Sequence, residues 1–260
     1  MNQNLICKII SHRGLCKINP SNYRVGENTI PAFEAGIKIL KDSGYPQAIE
    51  FDVRLTKDGI PVVIHDSTVD RTTNGKGFIR DYSFSEIQKL DAGYGRKISS
   101  LSEVLEFFKN ENIIFHIELK EKNIAKIVEK IMYEHDLQKK VVLSAFDEDD
   151  TDEPPEYQRY CSCWKDLYDI QQKLPIALLA TDKKINKMGL VNYIETAKNI
   201  KAYAVHPQHT SVDEEFVILA HNTGLKVNAW TVNNPDVYKE FLKYGVDGVF
   251  CDNPSFLVDN

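Results

Sequence analysis

Short β-branched apolar runs alternate with amphipathic segments from one end of this chain to the other. That rhythm constrains the fold more than any other feature, because a helix after each strand returns the chain so that the next strand lies parallel. Eight runs read as strands: Ile6–Ser11, Ala48–Leu55, Ile113–Leu119, Lys140–Ser144, Pro175–Ala180, Ala202–Val205, Lys226–Trp230 and Gly248–Cys251. Helical spacing of apolar residues marks Ile30–Ser43, Ser102–Asn110, Asn123–His135, Pro155–Lys173, Lys187–Asn199, Asp213–Asn222 and Pro235–Tyr244. Eight strands with intervening helices predict an α/β fold of the closed (β/α)8 TIM-barrel type, and 260 residues suit one such barrel.

Local signals agree with that count. Glu27-Asn28-Thr29 followed by Pro31 reads as a helix N-terminus, with Asn28 or Thr29 as the cap and proline in the first turn. Gly44, Gly224 and Gly245 each follow a helical run just before a strand, where a left-handed terminating residue is expected. Between Leu55 and Ser102 the rhythm breaks into the turn Lys57-Asp58-Gly59, a strand-like Pro61–Ile64 and a loop-rich stretch. Residues from about 57 to 100 therefore read as an insertion after strand two without apolar content for its own core, inside one domain spanning 1–260. Asn253–Asn260 leaves room only for a stub of a closing helix.

Composition excludes several classes. No apolar run approaches the roughly 20 residues that span a bilayer. Met1–Leu5 is too short and polar for a secretory signal, so a cytoplasmic protein without a stable membrane anchor is expected. Five cysteines make no disulfide framework, and Cys161-Ser162-Cys163 has no second pair at zinc spacing. The net charge of -6 is concentrated in Asp147-Glu148-Asp149-Asp150-Thr151-Asp152-Glu153; elsewhere charges balance, leaving no basic field for nucleic acid. Nothing in the sequence fixes an oligomeric state.

The chemistry-bearing residues fall at the C-terminal ends of strands one, two, three and seven, where barrels of this type place their sites. Alternation along a strand points Glu50 and Asp52 to one side, and likewise Glu118 and Lys120. Three carboxylates can thus converge on one hard cation, Mg2+ or Ca2+, although carboxylates at strand ends also serve as solvated groups or helix partners. His12 and His65 each sit in a short polar motif close to these acids. Phosphodiester cleavage needs a base for the attacking oxygen and an acid for the departing alkoxide, tasks that suit imidazole. Arg13 and Lys120 supply positive charge for phosphate oxygens. His116, on the same face as Glu118, reads as its supporting group or as a packed core histidine.

Together these strings resemble the glycerophosphodiester phosphodiesterases. The matching pieces are His12-Arg13-Gly14, Glu27-Asn28-Thr29, Glu50-Phe51-Asp52-Val53 with Thr56-Lys57-Asp58-Gly59, His65-Asp66 with Arg71-Thr72-Thr73, Glu118-Leu119-Lys120, Trp230-Thr231-Val232-Asn233, and Val246-Asp247-Gly248 through Asp252-Asn253-Pro254. The resemblance implies hydrolysis of a small-molecule glycerophosphodiester to sn-glycerol 3-phosphate and an alcohol. It implies a divalent cation held by Glu50, Asp52 and Glu118, an acid/base pair of His12 and His65, and phosphate contacts from Arg13 and Lys120. Trp230 matches an aromatic lining the substrate pocket, although a tryptophan at a strand end also serves to cap a barrel core, and Glu27 matches an outer support; Arg71 reads as a salt-bridge anchor for the insertion. His12 is assigned as base and His65 as acid; exchanging them leaves the residue set unchanged.

Two departures stand out. The loop from Gly14 to Glu27, carrying Cys16, Lys17, Asn19, Asn22, Tyr23 and Arg24, is longer than the family's compact form, and the acidic run at 147–153 has no counterpart in the pattern. That run reads as a solvated flexible loop, or as a device that repels anionic membranes and favours water-soluble diesters. Two other readings of the chain are a phospholipase D-like lyase that forms a cyclic phosphate on lysolipids, and a non-enzymatic binding protein on the same barrel.

Overall fold

The computed structural model describes residues 8–19, 22–23, 26–151, 153–161 and 164–258. Eight parallel strands form one ring: β1 (Lys8–His12), β2 (Ala48–Leu55), β3 (Ile114–Leu119), β4 (Val141–Ala145), β5 (Ile176–Ala180), β6 (Ala204–Pro207), β7 (Lys226–Ala229) and β8 (Gly248–Cys251). Each pairs with the next, and β1 pairs both with β2, His12 opposite Glu50, and with β8, Ser11 opposite Cys251, so the (β/α)8 barrel closes. The expected strands all occur, Ala48–Leu55 and Gly248–Cys251 with the expected bounds and the others with ends shifted by one or two residues; Ile6 and Cys7 lie outside the described residues.

Alternation sorts the side chains into two layers. Ile9, Ile49, Phe51, Val53, Phe115, Ile117, Leu143, Leu178, Val205, Val227 and Val249 face outward and pack under the helices in one continuous core. Phe51 lies 5.4 Å from Phe33 and 6.3 Å from Phe115 between ring centroids. Truncating a ring so placed costs about 3–5 kcal/mol. Inside the barrel the apolar filling is thin: Ile10, Ala48 and Phe250 form one small cluster, Val142, Ala177 and Ala204 another. Towards the C-terminal strand ends the inward positions become polar, with Glu50, Asp52, His116, Glu118, His206 and Asn228 all buried.

The helices begin and end for local reasons. α1 (Ile30–Asp42) starts after Thr29 with Pro31 in its first turn, yet its capping differs from expectation. Thr29 donates its hydroxyl to the carbonyl of Gly26, and the Asn28 amide is drawn to Asp52. Ser100 and Glu103 form a reciprocal capping box on α2 (Leu101–Phe108). α3 spans Ile124–Glu134, and Gly44, Gly224 and Gly245 take the expected left-handed conformation. The helix expected over Pro155–Lys173 is instead two short pieces, Pro155–Gln158 and α4 (Trp164–Tyr168), with Ser162 and Cys163 outside the described residues. Lys187–Asn199 is also two helices, Asp182–Met188 capped by Thr181 and α5 (Leu190–Asn199), broken at Gly189 with φ 86°. α6 (Glu214–Asn222), α7 (Pro235–Tyr244) and the stub α8 (Ser255–Val258) complete the ring.

The segment after β2 carries more apolar structure than its sequence suggested. Pro61–Val63 pairs antiparallel with β2, and Val62, Ile64, Val69, Ile79, Ile87, Ala92 and Ile98 bury one another in a cluster of their own. Its small apolar residues are dispersed among turns, so no periodic run announced them. No helix among the described residues is long and apolar enough to cross a membrane.

Candidate active site

A cavity of about 460 Å³ opens at the C-terminal ends of the strands, and His12, Arg13, Glu50, His65, Glu118, Lys120 and Trp230 line it. Asp52, wholly buried, lies directly behind. Thus the eight residues expected to hold the cation, move protons or touch substrate lie at or directly behind one cavity. Register explains the acids: on adjacent strands Asp52 stands opposite Glu118, and Glu50 opposite both His12 and His116. Glu50, Asp52 and Glu118 each bring an oxygen within 4.8 Å of the other two.

Three buried carboxylates that close repel one another. Burial and the charge of Asp52 push Glu50 well above the usual carboxylate range, and burial pushes Glu118 up to about 7 against the pull of Lys120. Asp52 stays low in spite of burial because His65, Lys120 and Arg13 surround it and the Asn28 amide donates to its Oδ2 at 3.0 Å. Its Oδ1 accepts no hydrogen bond and lies 3.5 Å from Lys120 Nζ, which also pairs with Glu118 at 2.5 Å. Arg13 Nε, 3.4 Å from Asp52 Oδ2, is likewise a buried donor without a hydrogen bond.

The turn His12-Arg13-Gly14 sets this geometry. Arg13 and Gly14 both take positive φ, 56° and 77°, which turns the chain sharply off β1. The Arg13 amide then donates to Glu50 twice, to its carbonyl at 2.9 Å and its Oε2 at 3.1 Å. A Cβ on residue 14 would fall 2.5 Å from the backbone carbon of Ala32, so only glycine lets the turn rest on α1.

Each histidine has a carboxylate behind it. His65 Nδ1 meets Asp66 Oδ1 at 2.8 Å; Asp66 pairs with Arg71 at 2.5 and 2.6 Å, and Arg71 holds Glu27 at 2.7 and 2.8 Å. Glu27 in turn accepts from Arg13 Nη1 at 3.2 Å, so an ionic ladder joins the two arms. Burial and the neighbouring Lys120 lower His65 to about 4. His12 Nδ1 meets Asp252 Oδ1 at 2.6 Å, and Asn233 Nδ2 donates to the other oxygen at 2.7 Å.

Sequence reasoning gave no role to Asp252, Asn233, Arg54 or Phe146, and placed Asn28 only as a candidate helix cap. Of the two readings of His116, support for Glu118 or a packed core histidine, the structure bears out the second, with no hydrogen bond between His116 and Glu118 among the described residues. His116 packs against His206 and Phe250, ring centroids 5.6 and 5.4 Å away, and burial lowers it to about 3. Trp230 is pinned by its Nε1 bond to the His206 carbonyl at 2.8 Å and stands perpendicular to Phe146 at 5.5 Å, forming an aromatic corner beside Lys120.

The acidic run is not the loose solvated loop its composition suggested. Lys184 bridges Asp147 and Asp149, Lys187 pairs with Asp149 at 2.6 Å, and Asp150 accepts from the Thr181 amide and hydroxyl. Glu153 pairs with Arg54, which is itself fully buried; Asp152 lies outside the described residues. In the loop after β1, Lys17–Asn19 pairs with Asn22–Tyr23 in a two-stranded ribbon, and Arg24 lies outside the described residues.

The sequence profile described as the Glycerophosphoryl diester phosphodiesterase family matches residues 12–256. A glycerophosphodiester phosphodiesterase of Caldanaerobacter subterraneus subsp. tengcongensis is 34% identical over 263 residues, covering 96% of this chain and 96% of that protein. Another, from Bacillus subtilis, is 31% identical and covers 94% of this chain and 83% of its own. Among solved structures, a phosphodiesterase of Oleispira antarctica in complex with the product sn-glycerol-3-phosphate shares the fold with a TM-score of 0.74 at 23% identity, covering 95% of this chain and 93% of that one.

Proposed function

This chain belongs to the glycerophosphoryl diester phosphodiesterase family and hydrolyses glycerophosphodiesters, and we propose that it does so with a divalent cation and the imidazoles of His12 and His65. The observation that carries the reading is the meeting of three buried carboxylates with two cations and two imidazoles in one cavity.

Glu50, Asp52 and Glu118 suit a hard cation. Their donor atoms are all oxygen, Lys120 and Arg13 relieve their mutual repulsion only in part, as the raised Glu50 and Glu118 show, and Asp52 Oδ1 is a buried acceptor without a hydrogen bond. Such an ion, Mg2+ or Ca2+, supplies positive charge for the phosphoryl oxygens as the transition state forms. Arg13 and Lys120, which both line the cavity, add fixed charge at the same place for the phosphate oxygens. The oxygen of a water molecule forms a bond to phosphorus and loses one proton to one imidazole. The bond from phosphorus to the alcohol oxygen breaks, and the other imidazole protonates that oxygen, releasing sn-glycerol 3-phosphate and the alcohol. His12 and His65 share these two roles, and exchanging them leaves the residue set unchanged. Trp230 and Phe146 wall the side on which the substrate lies.

The test is incubation with glycerophosphocholine and Mg2+ or Ca2+, with and without EDTA. Choline release that stops with EDTA and with His12→Ala supports the reading; release that ignores the chelator overturns the cation's part. Phosphorus NMR of the products separates hydrolysis from a lyase, which would accumulate a cyclic phosphate.

A further inference from the structure

Among the groups around the cavity, one carboxylate touches a histidine directly and yet belongs neither to the acidic cluster nor to the histidine motifs. We propose that Asp252, steadied by Asn233, is the positioning residue of His12, an inference that rests on the reading of His12 as a proton-transfer group. Asp252 Oδ1 lies 2.6 Å from His12 Nδ1, and Asp252 Oδ2 accepts from Asn233 Nδ2 at 2.7 Å. Asn233 reciprocates, since its Oδ1 accepts the Asp252 amide at 2.9 Å. The Cys16 thiol sits 3.5 Å from the same Oδ1, and burial together with the Asp252 charge holds that thiol protonated.

An ionised carboxylate only accepts hydrogen bonds. The short contact therefore requires the proton of a neutral His12 ring to reside on Nδ1, leaving Nε2 bare. Nε2 is the nitrogen turned towards the acidic cluster, 3.8 Å from Glu50 Oε2, where a reacting oxygen must exchange its proton. The two-way clasp between Asp252 and Asn233 matters because a carboxylate free to rotate would not hold the ring plane. The location adds to this: Asp252 directly follows β8, and the pairing of Ser11 with Cys251 sets it beside the end of β1. Closure of the barrel and orientation of His12 are one arrangement.

Asparagine at 252 keeps the shape but offers one acceptor oxygen where two donors, His12 Nδ1 and Asn233 Nδ2, now converge. One contact must become donor against donor, or the His12 proton must move to Nε2. Purified full-length wild type, Asp252→Asn, Asn233→Ala, His12→Ala and the double variant Asp252→Asn/His12→Ala are assayed on glycerophosphocholine with saturating Mg2+, and each is melted by circular dichroism. Asp252→Asn is expected to lower kcat about 10²- to 10⁴-fold, as when the carboxylate behind a catalytic histidine is amidated elsewhere. KM should change less than about threefold, and the double variant should be no slower than His12→Ala alone. Asn233→Ala should lower kcat by about tenfold. Nitrogen-15 NMR of the cation-free wild type should show His12 protonated at Nδ1, a signature absent from Asp252→Asn.

Full kcat in Asp252→Asn, or an equal fractional loss with and without the His12 imidazole, overturns the proposal. If Asp252→Asn does not fold, Asn233→Ala, which keeps the carboxylate, carries the same comparison against His12→Ala. Wild-type turnover in His12→Ala would sink the reading of His12 and this inference with it, whereas an inactive His12→Ala beside a fully active Asp252→Asn sinks the inference alone.

Discussion

The two imidazoles reach the same cavity by opposite routes. His65 finds its carboxylate at the next residue, and the ladder behind it, Asp66, Arg71 and Glu27, comes from a continuous 45-residue stretch of chain, counting from Glu27 to Arg71. His12 finds its carboxylate 240 positions away, at a point reached only because β8 returns beside β1. One arm is assembled by local chain geometry and an inserted segment, the other by closure of the whole barrel. The difference teaches that a functional pair can be as close as 2.6 Å and still leave no trace in local sequence.

Both arms converge on Glu50, Asp52 and Glu118, so the largest effect should come from a change that ignores the distinction. Chelation, or Glu118→Gln, is expected to lower turnover of glycerophosphocholine by about 10³-fold or more, the several kcal/mol of barrier that a catalytic cation supplies. Added Mg2+ or Ca2+ should restore the chelated wild type. Activity persisting in EDTA would show that the arms work without the acids between them.

Next in size is a change to the strut behind the local arm. Arg54, fully buried, donates to the His65 carbonyl at 2.6 Å and pairs with Glu121 and Glu153, Glu153 arriving from the acidic run after β4. Arg54→Met leaves the buried Glu121 and the partly buried Glu153 carboxylates without their cation, a cost of about 3–5 kcal/mol. The midpoint of urea unfolding should fall accordingly, with kcat lowered because the His65 backbone is released. Unchanged stability would mean that the acidic run does not brace the site.

What the sequence made legible follows the same division. Glu50, Asp52 and Glu118 could be read because a period of two fixes which side chains share a face, and His65-Asp66 because its partners are neighbours. The eight strands were legible because β-branched runs bounded by glycine and polar turns have few alternatives. The break at Gly189 and the division of the segment after β4 were not, since the apolar spacing runs on while the backbone answers to tertiary contacts, Arg54 with Glu153 and Lys184 with Asp147 and Asp149. Composition alone misread the acidic run: six acids in seven positions look solvated until their partners arrive, Arg54 from β2 and Lys184 and Lys187 from the helix Asp182–Met188. Asp252 and Asn233 were quoted within matching strings, yet nothing in either string says that they touch His12.

A smaller test asks whether the local arm is the more redundant one. His65 is restrained by Asp66 at its ring and by Arg54 at its carbonyl, and Arg71 keeps Glu27 if Asp66 loses its charge. Asp66→Asn should therefore lower kcat by about tenfold, less than Asp252→Asn, with Arg71 still in place. A loss larger than that of Asp252→Asn, measured under the same conditions, would reverse the contrast between the arms.

The smallest effect belongs to the rim. Lys184 and Lys187 hold Asp149 at about 2, below the 3.8 of a free aspartate, through direct hydrogen bonds. A carboxylate lowered on folding adds stability that is fully present above the unfolded value and disappears as pH falls through the folded one, so the window lies between about pH 4 and pH 2. Asp149 is 43% exposed, and water screens the pairing, which limits the gain to about 0.5 kcal/mol. The difference in melting temperature between wild type and Asp149→Asn should accordingly be slight at pH 6 and vanish by pH 2. A difference that grows on acidification would mean that Asp149 is protonated more readily in the folded chain than in the unfolded one, and that the lysines do not hold the rim.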